Sequence, residues 1–378
     1  MPTSRIDLVL GGPLGRQFLF DELGFVPDSR LAEALSLGPI PGRAWLVSTS
    51  DPNSPETTTA PSRIRSQGEV SADEVARQIE AMVAEDEWRE LGDLDELELL
   101  ERLHRVTIGF GFGGEDEMVW ALTDVARDAL RPLAVTLVES SASAHWWDPV
   151  DRGNQRHIQW NDEPFPHGIE IAEAIHECSV HERTENETGL ARGVPTVPPG
   201  TRVGAYWWSA PGFTTLTSTT PSVSDIPALG LLSFVDVWRP WGQAQATIWS
   251  LEISESARVL EIVEPSDWQR LVDEHPRDVT GTHNGEWRYW SGGTGPWRLP
   301  DWESVARHYD GVHVTIGGCL ATNGLALPVA DGFTVLAGWV PGETIWLGDV
   351  GIRREPIGTW SGDNLASQGW EDIRDGLN

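Results

Sequence analysis

Asp310, Gly311, Val312 and His313 stand at the entry to the apolar run GVHVTIGG. A histidine beside a carboxylate can act as a general base near neutral pH. In a strand starting near Val312, His313 and Thr315 would share one face. The rival reading is a D-G turn at Asp310 followed by a histidine satisfied within its own strand. A second set of chemically able residues lies in YWWSAPGFTTLTSTTP, 206 to 221: Tyr206, Trp208 and Ser209, then Thr217, Ser218 and Thr219. Side chains alternate along a strand, so Trp207 and Trp208 would point to opposite faces, one toward a core and the other free for a flat ligand. A third set lies in WRYWSGGTGPWRLPDW, 287 to 302, where a glycine cluster at 292 to 295 separates Trp290 from Trp297. A flexible loop between large flat side chains suits a lid over a pocket, and it suits an ordinary long loop too. Ser209 or Ser218 could serve a Ser-His-Asp hydrolase, but no G-x-S-x-G elbow accompanies them.

Two other motifs look chemical and are read structurally. VTIGFGFGGEDEM, 106 to 118, places Gly109, Gly111 and Gly114 at G-x-G-x-x-G spacing after a strand-like VTI, and PLAVTLVES could form a second strand ending at Glu139. Glu115, Asp116 and Glu117 then sit where a pyrophosphate would need a helix N-terminus, and their charge opposes it. The segment reads as a glycine-rich loop between helices. HECSVHE, 176 to 182, offers metal-ligand types, yet His176 and His181 are five apart, about 140° around a helix rather than the i, i+4 of a zinc helix. It reads as a polar surface helix, and no metal is expected.

The elements that would position these residues change character near residue 190. Before it, helical periodicity dominates: 71 to 90, with Ser71 as a cap and Val75, Ile79, Met82 and Val83 on one face, then 94 to 106, 115 to 131 and 168 to 183. The Pro, Ser and Thr of 48 to 68 suggest a mobile surface loop, and RGVPTVPPGTR, 192 to 202, a stiff boundary. After it come short β-rich runs, RVGAYWW, LGLLSFVDVW, ATIWSLEI, ARVLEIV, GVHVTIGG, FTVLAGWV and TIWLGDV. Two short helices interrupt them: 265 to 276, capped by Ser266, and 299 to 311, capped by Asp301 and stopped by Gly311. The pattern predicts an α+β protein: a helical domain over 1–190, a mainly antiparallel, tryptophan-rich domain over 200–350, and an irregular tail over 351–378.

Composition bounds the function. There are 27 basic and 58 acidic residues, for a net charge of −31, and every basic residue is arginine. Such a field repels nucleic acid and anionic membranes, so the partners expected are a small molecule or a basic protein. The N-terminal stretch does not read as a signal peptide and no apolar run approaches a membrane span. With two distant cysteines, the expectation is a soluble cytoplasmic protein without a disulfide scaffold. Twenty tryptophans suggest dense packing or an aromatic cleft.

Over roughly 200 to 350 the order of elements resembles that of ADP-ribosyltransferase-like domains. TLTSTTP is similar to their hydroxyl-rich S-T-S strand, with Thr217, Ser218 and Thr219 at the motif. ARVLEIVEPSDWQRLV is similar to the strand and helix that follow, and WESVARHYDGVHV to the helix-turn-strand near the end. The family's opening Arg or His corresponds at best to Arg202 or Tyr206, and the place of its final-strand Glu reads Asp310, Gly311, Val312, His313. The resemblance implies NAD as cofactor, held by Tyr206, Trp208, Ser209, Thr217, Thr219, Trp290 and Trp297, with Asp310, His313 and Ser218 in catalytic roles. The whole chain also resembles a group of tryptophan-rich proteins of actinobacterial type, a likeness that implies no activity. The competing expectation is a non-catalytic acidic protein of immunity type that binds a basic partner.

Overall fold

In the computed structural model the described residues are 3–23, 72–84, 87–109, 127–160, 171–193, 206–211, 217–233, 243–291, 293, 295–348, 353–363 and 370–372. The fold is α+β with mainly antiparallel sheets. The helices are α1 (Arg5–Gly11), α2 (Pro13–Asp21), α3 (Ala72–Ala84), α4 (Glu96–Gly109), α5 (Arg131–Glu139), α6 (Ile171–Arg192), α7 (Pro265–Glu274), α8 (Thr280–Ser291), α9 (Trp302–Val305) and α10 (Ile316–Thr322). The strands that matter most are β1 (Gln155–Trp160), β2 (Thr217–Thr219), β3 (Gln243–Glu252) and β4 (Val259–Ile262). With them go β5 (Pro276–Asp278), β6 (Arg298–Pro300), β7 (Gly311–Val314), β8 (Leu327–Val329), β9 (Gly332–Thr334), β10 (Thr344–Trp346), β11 (Arg353–Asp363) and β12 (Trp370–Asp372).

Two four-stranded sheets form the frame, in the orders β1-β3-β11-β12 and β2-β10-β7-β4. Among the described strands, β4 and β7 alone pair in parallel, because α7, α8 and α9 lie between them in sequence and carry the chain back to the starting edge. The sheets join where Arg156 and Thr220 exchange backbone hydrogen bonds of 2.8 and 3.0 Å.

Several local expectations change. VTI, 106 to 108, ends helix α4, and PLAVTLVES lies largely within α5, so neither flanks a dinucleotide fingerprint as a strand. Gly111 and Gly114, residues 115 to 126 of the helix expected at 115 to 131, the loop at 48 to 68, Ser71 and most of the 192 to 202 boundary lie outside the described residues, while 127 to 130 form a turn. Ser266 is not the cap of α7: Glu264 is, in a capping box with Asp267. Asp301 does cap α9, accepting from the Ser304 N–H. Leu229–Ser233 is a 3-10 turn rather than a strand, and TIGG opens α10, with the Thr315 hydroxyl accepting from the Gly318 N–H at 2.9 Å. Trp287 and Trp290 lie in helix α8, and β11 falls in the tail that looked irregular.

One buried cluster runs from Val9, Leu10 and Phe18 through Leu99, Leu103 and Leu133 to Val312, Val314 and Leu347, so residues on both sides of position 190 share a core. The contact is close at Gly12, between α1 and α2. A methyl group added there would lie 1.9 Å from the Leu320 carbonyl oxygen of α10. Ser4 caps α1, its hydroxyl accepting from the Asp7 N–H, and Arg16 donates to the Leu10 and Gly11 carbonyls at the other end. The GGP break is therefore an elbow that seats two short helices on α10.

Candidate active site

The tryptophans are mostly core, and they use up the hydroxyl residues. Trp268, Trp302 and Trp339 pack with ring centroids 6.3–6.4 Å apart. Buried indole N–H groups need acceptors. Trp339 donates to the Ser209 hydroxyl at 3.2 Å, Trp346 to that of Thr219 at 2.9 Å, and Trp268 to that of Thr334 at 3.1 Å. Trp297 donates to the Asn284 side-chain oxygen and Trp287 to the Trp207 carbonyl.

This disposes the sequence-derived residues as follows. Ser209, Thr217, Thr219 and Trp297 are sealed in the interior. Ser209 also exchanges hydrogen bonds with the Ala337 backbone. Ser218 donates to the Glu343 carboxylate. Asp310 sits in the bend before β7 and clamps Arg258 from both oxygens, at 2.7 and 3.0 Å, which holds its carboxyl below the usual range. Tyr206 and Trp208 are the exposed aromatics of the set. They lie in an extended segment outside the strands, with Trp207 buried between them. Trp208 packs on Gly338, where any Cβ would lie 2.2 Å from the indole and where the backbone φ is 75°. The Trp290 side chain lies outside the described residues. Of the whole set, His313 alone lines the cavity described next.

That cavity, of about 320 Å³, opens between the 145–155 segment and the β2-β10-β7-β4 sheet. Its buried wall is Trp146, Gln155, His313, Ile316 and Gly342, and its outer wall carries Glu96, Asp148 and Asp151. Glu96 is paired with His145 at 2.9 Å. Gln155 and Asn154 are held by local hydrogen bonds, Gln155 accepting from Thr219 at 2.6 Å and Asn154 accepting from the Ser222 hydroxyl at 2.5 Å.

The sheet supplies the chemistry. Thr219, Thr344, His313 and Glu261 lie opposite one another across β2, β10, β7 and β4. Facing residues in paired strands share a side, so they form one polar row across the sheet. His313 Nδ1 is 2.8 Å from the Thr344 hydroxyl, and its Nε2 is 3.9 Å from Glu261 Oε2. Burial pushes His313 down to about 4 and Glu261 up to about 7. The Val150 N–H, donating to Glu261 Oε1 at 3.2 Å, and the Arg152 charge offset only part of the desolvation. Oε2 is buried with no hydrogen-bond partner. Two titratable groups side by side with their values pushed apart is the arrangement of an acid–base pair.

Sequence reasoning found His313 but not Glu261, which looked like one acid among 58. The one available signal was a lone acid inside the strand-like apolar run ARVLEIV. Cys319, fully buried, has its thiol pushed up to about 12 and is not a ready nucleophile. Among the described residues no group of His, Cys, Asp and Glu is placed to hold a metal ion. No family model, curated protein or solved structure matches the chain.

Proposed function

We propose that the protein is an enzyme of proton-coupled hydrolysis or group transfer on a small polar molecule held in the 320 Å³ cavity. His313 lines the cavity wall, and Glu261 lies behind it as the group that exchanges a proton near neutrality. The observation that carries this reading is the His313–Glu261 pair at the cavity wall, with Glu261 half-titrated near neutrality. A proton donor works best when its own pKa is close to the working pH.

The resemblance to ADP-ribosyltransferase-like domains supplies one specific version, transfer from NAD. An acidic wall suits the positive charge that develops on a departing ribosyl group. No arginine lines the cavity among the described residues, so the pyrophosphate of NAD would have to lie outside it. NAD is accordingly the first compound to test, ahead of uncharged and cationic small molecules.

The experiment is a thermal-shift screen followed by product analysis on each stabilising compound. Turnover by the wild type should fall by about 10²–10⁴ in Glu261→Gln and in His313→Asn, with ligand-induced stabilisation retained. Turnover equal to wild type in both variants would remove the pair from the chemistry.

A further inference from the structure

We infer that Thr344 is a positioning residue: its hydroxyl holds His313 as the tautomer protonated on Nε2, so that the ring faces Glu261 as a donor and Glu261 is the base of the pair. The division of roles rests on the pair being the working site, whereas the tautomer follows from the hydrogen bonds alone. Thr344 is fully buried on β10, between β2 and β7. A buried hydroxyl has one proton to give and needs an acceptor for it. Among the described residues the one acceptor bonded to its Oγ1 is His313 Nδ1, at 2.8 Å. The Thr219 contact, at 3.5 Å, is to the Thr344 carbonyl and does not involve the hydroxyl.

Burial pushes His313 down to about 4, so at pH 7 the ring is neutral and carries one proton and one lone pair. With the lone pair on Nδ1 accepting from Thr344, the proton sits on Nε2. In the other tautomer an Nδ1–H would point at the Thr344 oxygen or at the nearby Glu343 carbonyl. That carbonyl already accepts from the Val314 N–H at 2.9 Å, and the Thr344 proton would be stranded in either case. One hydrogen bond separates the two forms, which favours Nε2–H by roughly tenfold.

Strand register does the aiming. His313 lies opposite Thr344 on one side and Glu261 on the other, so a ring tied to Thr344 through Nδ1 turns Nε2 toward Glu261 Oε2, 3.9 Å away. That oxygen has no hydrogen-bond partner, while Oε1 accepts from the Val150 N–H at 3.2 Å. The charged groups acting on Glu261 are Arg152, beyond Val150, which favours ionisation, and Asp267, on α7, which opposes it. An N–H aimed at a carboxyl also favours the ionised form. A ring held in this tautomer has no lone pair to take a proton from Glu261, which leaves Glu261 as the group that accepts one.

The test uses the full chain with its histidines labelled with ¹⁵N, and His313 is assigned by the signal lost in His313→Asn. Long-range ¹H–¹⁵N correlation at pH 7 should show the proton on Nε2. Thr344→Val keeps the side-chain shape and removes the hydroxyl. It should shift His313 toward the Nδ1–H form, whose free Nε2 can accept from a protonated Glu261. The Glu261 midpoint, followed by carboxyl ¹³C shifts, should then rise by about half a unit to one unit. Thr344→Ser should restore both signatures, which a purely structural role for Thr344 would not require. An Nδ1–H ring in the wild type overturns the inference even if Thr344→Val fails to fold, and so does a folded Thr344→Val with both signatures unchanged. An Nδ1–H ring with turnover lost in Glu261→Gln would leave the proton-transfer reading standing. An Nε2–H ring with turnover indifferent to Glu261→Gln would sink that reading and leave the tautomer in place.

Discussion

At Glu261 the carboxyl titrates near neutrality because burial, helped by the like charge of Asp267, outweighs one backbone N–H and Arg152, with His313 beside it. The folded state keeps this proton up to about pH 7, while the unfolded chain loses it near 4.5. Stability therefore falls as pH rises through that window, by no more than about 3 kcal/mol given the partial exposure of the side chain. Glu261→Gln should flatten this limb in urea midpoints measured at pH 5 and pH 8. His104 acts in the opposite sense. It is fully buried and pushed down to about 3, so as pH drops below 6.5 the unfolded chain takes up a proton that the folded one refuses. Each pH unit then costs about 1.4 kcal/mol, and His104→Leu should soften that acid limb. Ser218 answers to a third rule. Its hydroxyl is one of the two donors recorded to the Glu343 carboxylate, the other being the Val340 N–H, and burial already pushes that carboxyl up. Ser218→Ala should cost about 1–3 kcal/mol of stability and leave binding in the His313 cavity unchanged; a loss of binding at full stability would return Ser218 to the site.

At the scale of elements, the elbow between α1 and α2 is the joint that couples the N-terminal helices to the sheet bearing His313. Gly12 approaches the Leu320 carbonyl, and Gly15 approaches that of Val9. Gly12→Ala should therefore destabilise by about 1–3 kcal/mol or more through overpacking against backbone that has little room to yield, as read by chemical denaturation. A change below about 0.5 kcal/mol would show that α10 is not held there. The hydrophobic periodicity of α4 and the Asp301 cap of α9 were legible because they are local, whereas the cap expected for α7, Ser266, falls two residues after the actual one, Glu264. The short helices α1, α2 and α10 were not: TIGG reads as part of a β-rich run, and GGP points to no element. Docking on α10 turns GGP into an elbow, while the Thr315 cap of TIGG is a local hydrogen bond that the strand reading passes over. Likewise VTI and PLAVTLVES have strand composition, but tertiary packing overrides propensity and holds them in α4 and α5.

For the whole molecule, the governing quantity is a net charge of −31. Self-repulsion opposes the compact state, and salt screens it over about 10 Å at 0.1 M. The melting temperature should rise as sodium chloride goes from about 20 to about 200 mM. A flat response would mean that the acids are already neutralised locally. The same field would steer a basic protein partner, an association that moderate salt should abolish. No helix among the described residues is long and apolar enough to cross a membrane.

Composition and local pattern by themselves determined the α+β class, the acidity, the helices with clean periodicity and the candidacy of His313. These depend on neighbours a few residues apart or on sums over the chain. The tertiary structure alone decided which hydroxyls serve indoles, that Asp310 belongs to Arg258, and that Glu261 stands beside His313 at a cavity. Those assignments depend on strand register between segments some 50 to 125 residues apart. Burial, too, is a property of the assembled molecule, and it is burial that moves one carboxyl among 58 toward neutrality.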